Sequence, residues 1–219
     1  GLTGTLALAS GVALYGGFAG GETELAQRDI TANETIIEGS TAANGNPALQ
    51  VVRGAGNARL DGFTIRGGRG DTGAGMINND VQNLVVANCL FTGNEAGQFG
   101  GGMYNLGGST VEVVDCRFEA NSAGVSGGGM LNQGSDTVVR NTLFEANNAE
   151  TGAGMLNLED ANVQVEDCVF RANVATGSGG ALANFASDPV VRNTVFEANA
   201  AIGNVGGAVL NAGGNPLYT

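Results

Sequence analysis

The sequence predicts an all-β chain wound as a right-handed parallel β-helix with about 26–27 residues per coil. Two motifs alternate at this period, and short Val-rich runs precede one of them. The first motif is a hexad that is rich in Gly and ends in Asn. It reads GAGMIN at 73–78, GGGMYN at 100–105, GGGMLN at 127–132, GAGMLN at 152–157, GGALAN at 179–184 and GGAVLN at 206–211. A fixed period of this length is typical of a solenoid, in which each repeat packs on its neighbours.

The second motif is Phe-x-x-Asn, and it keeps step with the hexad. It occupies residues 91–94, 118–121, 144–147, 170–173 and 196–199. Alternating apolar runs such as VEVVDC at 111–116 lie before the Phe, and period-2 runs rich in Val indicate short strands. The patterns of leucine-rich repeats and of calcium-binding nonapeptide rolls are absent. We therefore divide the chain into a less regular N-terminal part, 1–56, and regular coils over 57–219, and we expect both to belong to a longer protein.

Composition limits the classes of partner. The chain has 219 residues, of which 39 are Gly and only three are Pro, and its formal net charge is −12. This charge disfavours nucleic acid and anionic membrane surfaces as partners. Residues 1–21 carry no charge, but their many Gly residues favour broken strands over a membrane span. We expect no direct membrane insertion.

In a β-helix, equivalent residues of successive coils stack about 4.8 Å apart, so the interior can be written down as columns. We expect three inward columns. They are Val86, Val113, Val139, Val165 and Val191; Phe91, Phe118, Phe144, Phe170 and Phe196; and Cys89, Cys116, Thr142, Cys168 and Thr194. Cys89 and Cys116 fall in adjacent coils, which leaves a disulfide open, although buried free thiols are the favoured interpretation.

Asn and charged residues form further columns. We expect Asn to occupy the corners, because Asn tolerates left-handed backbone and its amide can bond to the copies above and below. The Asn columns are Asn94, Asn121, Asn147, Asn173 and Asn199; Asn78, Asn105, Asn132, Asn157, Asn184 and Asn211; and Asn88, Asp115, Asn141, Asp167 and Asn193. Two outward columns alternate in sign and predict ion-pair ladders: Glu145, Arg171 and Glu197, and Arg140, Glu166 and Arg192. Glu119 beside Glu145 breaks the alternation and is a candidate cation contact.

Two apolar stripes are the candidate partner-facing surfaces. The fourth and fifth positions of each hexad are both apolar, and neighbours on a strand point to opposite faces, so one position must face outward. Stacked apolar residues on an outer surface often mark an interaction site, unless a loop or neighbouring segment covers them. The candidates are Ile77, Tyr104, Leu131, Leu156 and Leu210 from the hexads, and Leu90, Leu143, Val169 and Val195 from the strand before each Phe-x-x-Asn motif.

The paired motifs resemble the repeats of polymorphic outer-membrane proteins and of the wider group of bacterial right-handed parallel β-helix surface proteins. The stretches GVALYGGFAG at 11–20 and NETIIEG at 33–39 are similar to the opening segments of large secreted members of that group. Met or Leu often stands where the family hexad has Ile. The resemblance implies export to the extracellular space or cell surface, and an adhesive, scaffolding or passenger role.

The residues indicate no catalytic or cofactor-binding site. The absence of His excludes His general-base chemistry, and the acidic residues are spread one or two per coil rather than clustered as a polysaccharide-cleaving site requires. Asp80, Asp136, Asp160 and Asp188 recur after the hexads, which leaves a calcium or sugar site open, although solvated turn residues are the favoured interpretation. We therefore expect a non-enzymatic structural or adhesive protein that binds a protein partner or itself. The alternative is a protein that binds or degrades polysaccharide.

Overall fold

The computed structural model describes residues 4–41, 45–203 and 205–219, and these residues wind into a right-handed parallel β-helix of about seven turns. The predicted fold class is confirmed. Each full turn visits four parallel sheets, here numbered I to IV in the order in which the chain reaches them. In the described part of the chain, the only helix is a short 3-10 helix at Leu25–Gln27.

Sheets I and II have eight strands each. The strands of sheet I are Leu6–Ala7, Val52–Arg53, Met76–Asn79, Met103–Leu106, Met130–Gln133, Met155–Leu158, Leu182–Phe185 and Val209–Ala212. The strands of sheet II are Ala13–Tyr15, Arg59–Asp61, Leu84–Ala87, Thr110–Val114, Asp136–Arg140, Asn162–Glu166, Val190–Arg192 and Leu217–Tyr218. The hexads thus supply sheet I and the Val-rich runs supply sheet II.

Sheets III and IV complete each turn with seven and six strands. The strands of sheet III are Thr35–Glu38, Phe63–Arg66, Leu90–Thr92, Arg117–Glu119, Leu143–Glu145, Val169–Arg171 and Val195–Glu197. The strands of sheet IV are Arg69–Thr72, Glu95–Phe99, Ser122–Ala123, Asn148–Thr151, Val174–Ser178 and Ala200–Ala201. The Phe of each Phe-x-x-Asn motif therefore lies in sheet III, and its Asn lies at the corner before sheet IV.

The predicted inward columns are confirmed by the strand register. Val113 pairs with Val86 and Val139, and Phe118 pairs with Phe91 and Phe144. Stacked Phe rings have centroid separations of 4.6 to 5.3 Å, and the first four rings of the column are fully buried. Burial of each such side chain stabilises the fold by roughly 1.5–3 kcal/mol, so this ladder is a main source of stability.

Two of the Asn columns form continuous amide ladders inside the solenoid. Asn105 Nδ2 donates to Asn132 Oδ1 at 2.8 Å, and the same bond recurs from Asn78 through Asn211. The column that begins at Asn94 makes a second ladder through Asn199. The predicted amide ladder is confirmed.

The prediction that all three Asn columns adopt left-handed backbone is wrong for these two ladders. Only the third column has positive φ, from 47° at Asn193 to 54° at Asp115 and Asp167. At the corner between sheets III and IV, the left-handed residue is the one that precedes the Asn of the second ladder. This residue is Ala in four coils, for example Ala146 with φ 54°. The buried ladder amides fix the corner there, so an Ala can be held in a conformation that it otherwise disfavours.

The column of Cys and Thr residues caps the corner between sheets II and III. Each member donates to the carbonyl two residues earlier, as Cys116 Sγ does to Val114 O at 3.3 Å and Thr142 Oγ1 does to Arg140 O at 2.8 Å. All three Cys are free and buried, which agrees with the interpretation favoured from the sequence. A thiol and a hydroxyl are interchangeable here because both are small donors.

The two charged columns form the predicted ion-pair ladders. Arg171 contacts Glu145 and Glu197 on either side, and Glu166 contacts Arg140 and Arg192. The two Arg side chains beside Glu166 hold the pKa of that carboxyl below its usual range. Glu119 pairs with Arg117 on its own strand, and its role as a cation contact stays a prediction.

The N-terminal part joins the same four-sheet scheme but carries an insertion. Residues 16–34, called the strap below, leave sheet II after Tyr15 and return to sheet III at Thr35. Arg28 of the strap donates to the buried carboxylate of Asp61 at 2.6 Å and lies 5.3 Å from the ring centroid of Tyr15. The strap therefore lies across the corner between sheets II and III. The division at residue 56 stays a prediction, and residues 1–3 of the first part lie outside the described residues.

Candidate functional site

The hexad stripe faces away from the solenoid interior but is mostly covered. The hexad Met side chains lie in the main core, whereas the stripe residues form a separate apolar cluster. Within it Tyr104, Leu131 and Leu156 expose only 6%, 1% and 3% of their surface, and Ile77 and Leu210 are half-buried. The stripe is therefore much less exposed than the pattern indicates, and binding of a partner there stays a prediction.

The covering groups come from the junction of sheets IV and I. The chain turns at Gly100 with φ 63°, and a Cβ at this residue would lie 2.7 Å from the Cβ of Tyr104. This close approach brings the end of the sheet IV strand against the outer side of sheet I, and the Phe99 ring centroid lies 6.4 Å from that of Tyr104. The other wall contains Leu106, Leu158 and Phe185. We call this feature the apolar groove.

A polar relay lies along the wall of the apolar groove. The Tyr104 hydroxyl donates to Gln133 Oε1, and Gln133 Nε2 donates to Glu159 Oε2 at 2.7 Å. Burial raises the pKa of Tyr104, and the charge of Glu159 raises it further. A cavity of about 410 Å³ opens further along the groove, beside Leu158 and Phe185. The groove thus combines an apolar floor with one carboxylate, that of Glu159, at its edge.

The second stripe lies on the outer face of sheet III and is more open. Leu90, Leu143 and Val169 are half-buried, and Val195 exposes 53% of its surface. Arg117 interrupts the column between Leu90 and Leu143. The prediction that these side chains point outward is confirmed, and their role as a contact surface stays a prediction.

The outer face of sheet II holds a shallow groove that sequence reasoning missed. Its volume is about 420 Å³. Its polar side chains are Asn83, Thr110, Glu112, Asp136, Asn162 and Gln164. The sequence contains a pattern that could have revealed this groove. The repeat places Asn83, Thr110, Asp136 and Asn162 in one column and Glu112 and Gln164 in another.

Two of the recurring acidic residues, Asp160 and Asp188, line one cavity of about 430 Å³, and Asp136 begins a strand of sheet II. Asp80 and Asp160 occupy left-handed turn positions with φ of 54° and 57°, and Asp188 Oδ1 accepts from the backbone N–H of Asn215. Among residues 4–41, 45–203 and 205–219, no group of three or more His, Cys, Asp or Glu side chains is placed to hold a metal ion. Calcium binding stays untested.

Two of the buried thiols, Cys116 and Cys168, are poor nucleophiles. Burial raises the pKa of Cys116 well above its ordinary value, and it raises the pKa of Cys168 to about 11. A thiol attacks as its thiolate, and these environments disfavour that form at neutral pH. The Cys column therefore has a structural role.

Comparison with known families gives one match. A family model described as a right-handed β-helix region matches residues 29–196. The chain belongs to the right-handed β-helix family. Comparison of this β-helix chain with curated proteins finds no match. The finer resemblance to polymorphic outer-membrane proteins stays a prediction. Within the described ranges the β-helix has no helix that is long and apolar enough to cross a membrane.

Proposed function

We propose that this β-helix is a non-enzymatic structural or adhesive protein of the extracellular space or cell surface, and that it binds a protein partner along the apolar groove. The observation that carries the proposal is the continuity of the groove. From Ile77 to Leu210 the same hexad position is apolar in six successive coils and packs outside the main core. The floor of the groove is nearly covered, so a partner would contact the half-buried residues along its wall, such as Leu158 and Phe185.

The charges around the groove favour a basic partner. Glu159 lies on the rim and takes part in the polar relay, and the chain as a whole has a net charge of −12. A second copy of the chain would bring like charge against like charge, which is unfavourable for association. We therefore expect an extended segment with apolar side chains flanked by Lys or Arg. The apolar side chains would enter the openings beside Leu158 and Phe185.

The carboxylates of the two ion-pair ladders support a non-enzymatic role. Glu112 and Glu166 on sheet II contact Arg140, and Glu145 and Glu197 on sheet III contact Arg171. A glycosidase-like mechanism needs two carboxylates that face one sugar, one as acid and one as base or nucleophile. Carboxylates held in ladders with Arg stabilise adjacent coils instead. Export to the cell surface rests on the resemblance of the repeats to those of surface proteins.

The test uses two synthetic peptides that alternate Leu with Lys or Leu with Glu. We expect the Leu/Lys peptide to bind, and Leu158→Asp to weaken it at least tenfold by placing a charge on the apolar wall. Val195→Asp is the matched control, because it makes the same kind of change on the exposed stripe outside the groove. Equal loss from both variants, or equal binding of the Leu/Glu peptide, would contradict the proposal. Light scattering over a concentration series would show whether copies associate instead.

A second candidate function is polysaccharide binding on the outer face of sheet II. The groove of about 420 Å³ there presents amide, hydroxyl and carboxylate groups, which suit sugar hydroxyls. We expect this candidate to be supported if neutral glycan binding falls with Gln164→Ala and is unchanged by Leu158→Asp. Release of reducing or unsaturated sugar ends from the glycan would show that the protein cleaves the polysaccharide as well as binding it.

A further inference from the structure

A cleft of about 360 Å³ lies where the strap meets the outer face of sheet III. The strap supplies Ile30, Thr31 and Glu34 to one wall, and Asn88 and Asp115 supply the other. Its volume lies within the range of small-molecule sites. The cleft is separate from the apolar groove and from the face of sheet II, because its residues belong to the strap, to sheet III and to the corner before it.

The strap is firmly held, so the cleft is a built feature. Asp61 exposes only 1% of its surface, and it accepts from Arg28 at 2.6 Å, from Arg59 Nε at 2.8 Å and from Asn88 at 2.9 Å. Beside this cluster a Cβ at Gly62 would lie 2.7 Å from Ile30 Cγ2. The coils after this one have Asn or Asp at the corner position of Gly62, so the glycine makes room for the strap.

Arg117 is the residue that departs from the repeat. In the column that runs through Leu90, Leu143, Val169 and Val195, every coil from 90 onward except that of Arg117 has an aliphatic residue. In a repeat protein the structural requirement is the same in each coil, so a charged residue at one position serves something other than the repeat. Arg117 lines the cleft, and one nitrogen of its guanidinium forms an ion pair with Glu119. The remaining guanidinium donors can face a ligand.

The cleft contains charged groups of both signs. Glu34 is anchored by Thr64, whose hydroxyl donates to Glu34 Oε1 at 2.8 Å. Thr64 pairs with Leu90, which in turn pairs with Arg117. Two strand spacings separate Thr64 from Arg117, which is about 10 Å. The Glu34 carboxylate therefore lies beside Thr64, and Arg117 lies two strands away with Leu90 between them. The Asp115 carboxylate also lines the cleft, and Glu119 pairs with Arg117.

We propose that this cleft binds a short zwitterionic peptide. The amine of the ligand lies at Glu34, its carboxylate lies at Arg117, and an apolar side chain lies over Leu90. An extended tripeptide spans about 10 Å, which is also the backbone spacing between Thr64 and Arg117. Arg binds carboxylates through paired N–H donors, and a carboxylate accepts several donors at once, so each end of the ligand has a suitable partner. The proposal is independent of the partner at the apolar groove.

The test compares three probes by calorimetry: Ala-Leu-Ala, its N-acetyl form and its C-terminal amide. We expect the free tripeptide to bind and each blocked form to bind about tenfold more weakly, because each loses a charge-assisted contact. Failure of the free tripeptide to bind, or equal binding by a blocked form, would overturn the proposal.

Variants of the full chain locate the site. Arg117→Leu installs the residue that neighbouring coils already carry, so the variant should fold normally and bind about tenfold more weakly. Glu34→Gln should weaken binding of the free tripeptide by a similar factor. This variant should bind the free tripeptide and its N-acetyl form with equal affinity. Arg69→Leu is the control, because it removes an exposed Arg of sheet IV that pairs with Glu95 at 3.4 Å. A loss with Arg69→Leu equal to that with Arg117→Leu would assign the binding to general charge and overturn the proposal.

Discussion

Asn121 Nδ2 donates to Asn147 Oδ1 at a distance of 3.1 Å, across one turn of the solenoid. The same Asn147 oxygen accepts the backbone N–H of Asn121, and Asn147 Nδ2 donates to Phe118 O and to Asn173 Oδ1. One buried side chain thus satisfies polar groups of the coils above and below it. This arrangement explains why the motif keeps Asn in each coil, since a shorter or apolar side chain would leave several buried groups without partners.

Replacement of Asn147 by Ala should therefore lower the free energy of unfolding by roughly 3 kcal/mol or more, because it leaves buried donors and acceptors unsatisfied. Urea denaturation followed by circular dichroism measures the change. Asn141→Ala is the matched control at the exposed corner before sheet III, where φ is 48°. It should lower the free energy by about 1 kcal/mol, through backbone strain alone. Equal effects of the two substitutions would contradict the ladder argument.

Asp61→Asn should loosen the strap. Burial on its own would raise the pKa of Asp61, but Asn88, Arg28 and Arg59 outweigh it and hold the pKa below the ordinary value. The stabilising contribution is therefore present above pH 3.8 and is lost as the pH falls through the lower value of the folded protein. Removal of the charge leaves Arg28 half-buried without its partner and should destabilise the fold by about 3 kcal/mol.

Hydrogen exchange measures the loosening of the strap directly. The amides of Asp29 and Asn33 are bonded to Gly17 O and Asp29 O and should exchange faster in Asp61→Asn. Glu38→Gln is the control, because the Glu38–Arg66 pair is exposed and should contribute at most about 1 kcal/mol. Unchanged protection of the strap in Asp61→Asn would show that other contacts hold it.

Cys116→Thr should leave stability within about 0.5 kcal/mol of the parent, whereas Cys116→Val should lower it by about 1–2 kcal/mol. Thr retains a small donor for Val114 O, as Thr142 shows in the next coil, and Val lacks one. Val and Thr have nearly the same shape, so the pair isolates the hydrogen bond. Thermal unfolding of both variants measures it, and equal melting temperatures would show that the column requires only small volume.

The stability of the protein should fall between about pH 9 and pH 11. The pKa of Cys168 rises from an ordinary value of 9.0 to about 11 on folding, because the thiol is buried. The unfolded chain therefore loses this proton first as the pH rises, and unfolding becomes more favourable over that interval. Cys168→Thr should reduce the decline in denaturation curves recorded at successive pH values. An unchanged decline would assign it to other groups.

The hexad stripe and the sheet III stripe should respond differently to truncation. Leu131 is 1% exposed, so Leu131→Ala should destabilise the fold by roughly 2–5 kcal/mol through the cavity that it leaves. Val195 is 53% exposed, so Val195→Ala should change stability by less than about 1 kcal/mol. Denaturant titration of both variants provides the comparison. A small effect of Leu131→Ala would mean that the groove is open in solution.

The period of the motifs was enough to predict the fold, the inward columns, the amide ladder and the ion-pair ladders. Each of these depends on one rule, namely that a residue meets its equivalent about one strand spacing away in the next coil. Phe118, for example, must lie between Phe91 and Phe144 once the coil length is known. The residue type at each position and the register of the coils are enough to predict such contacts.

Contacts between different sheets and between the strap and the coils depended on the three-dimensional path of the chain. The period shows that either Met103 or Tyr104 points outward, but only the structure shows that it is Tyr104 and that sheet IV covers it at the sharp turn at Gly100. Likewise, nothing in the spacing of Arg28 and Asp61 indicates that they form a buried ion pair. The angles at the corners and the route of the insertion set these distances, and they arise from the packing of the whole coil rather than from any repeated motif.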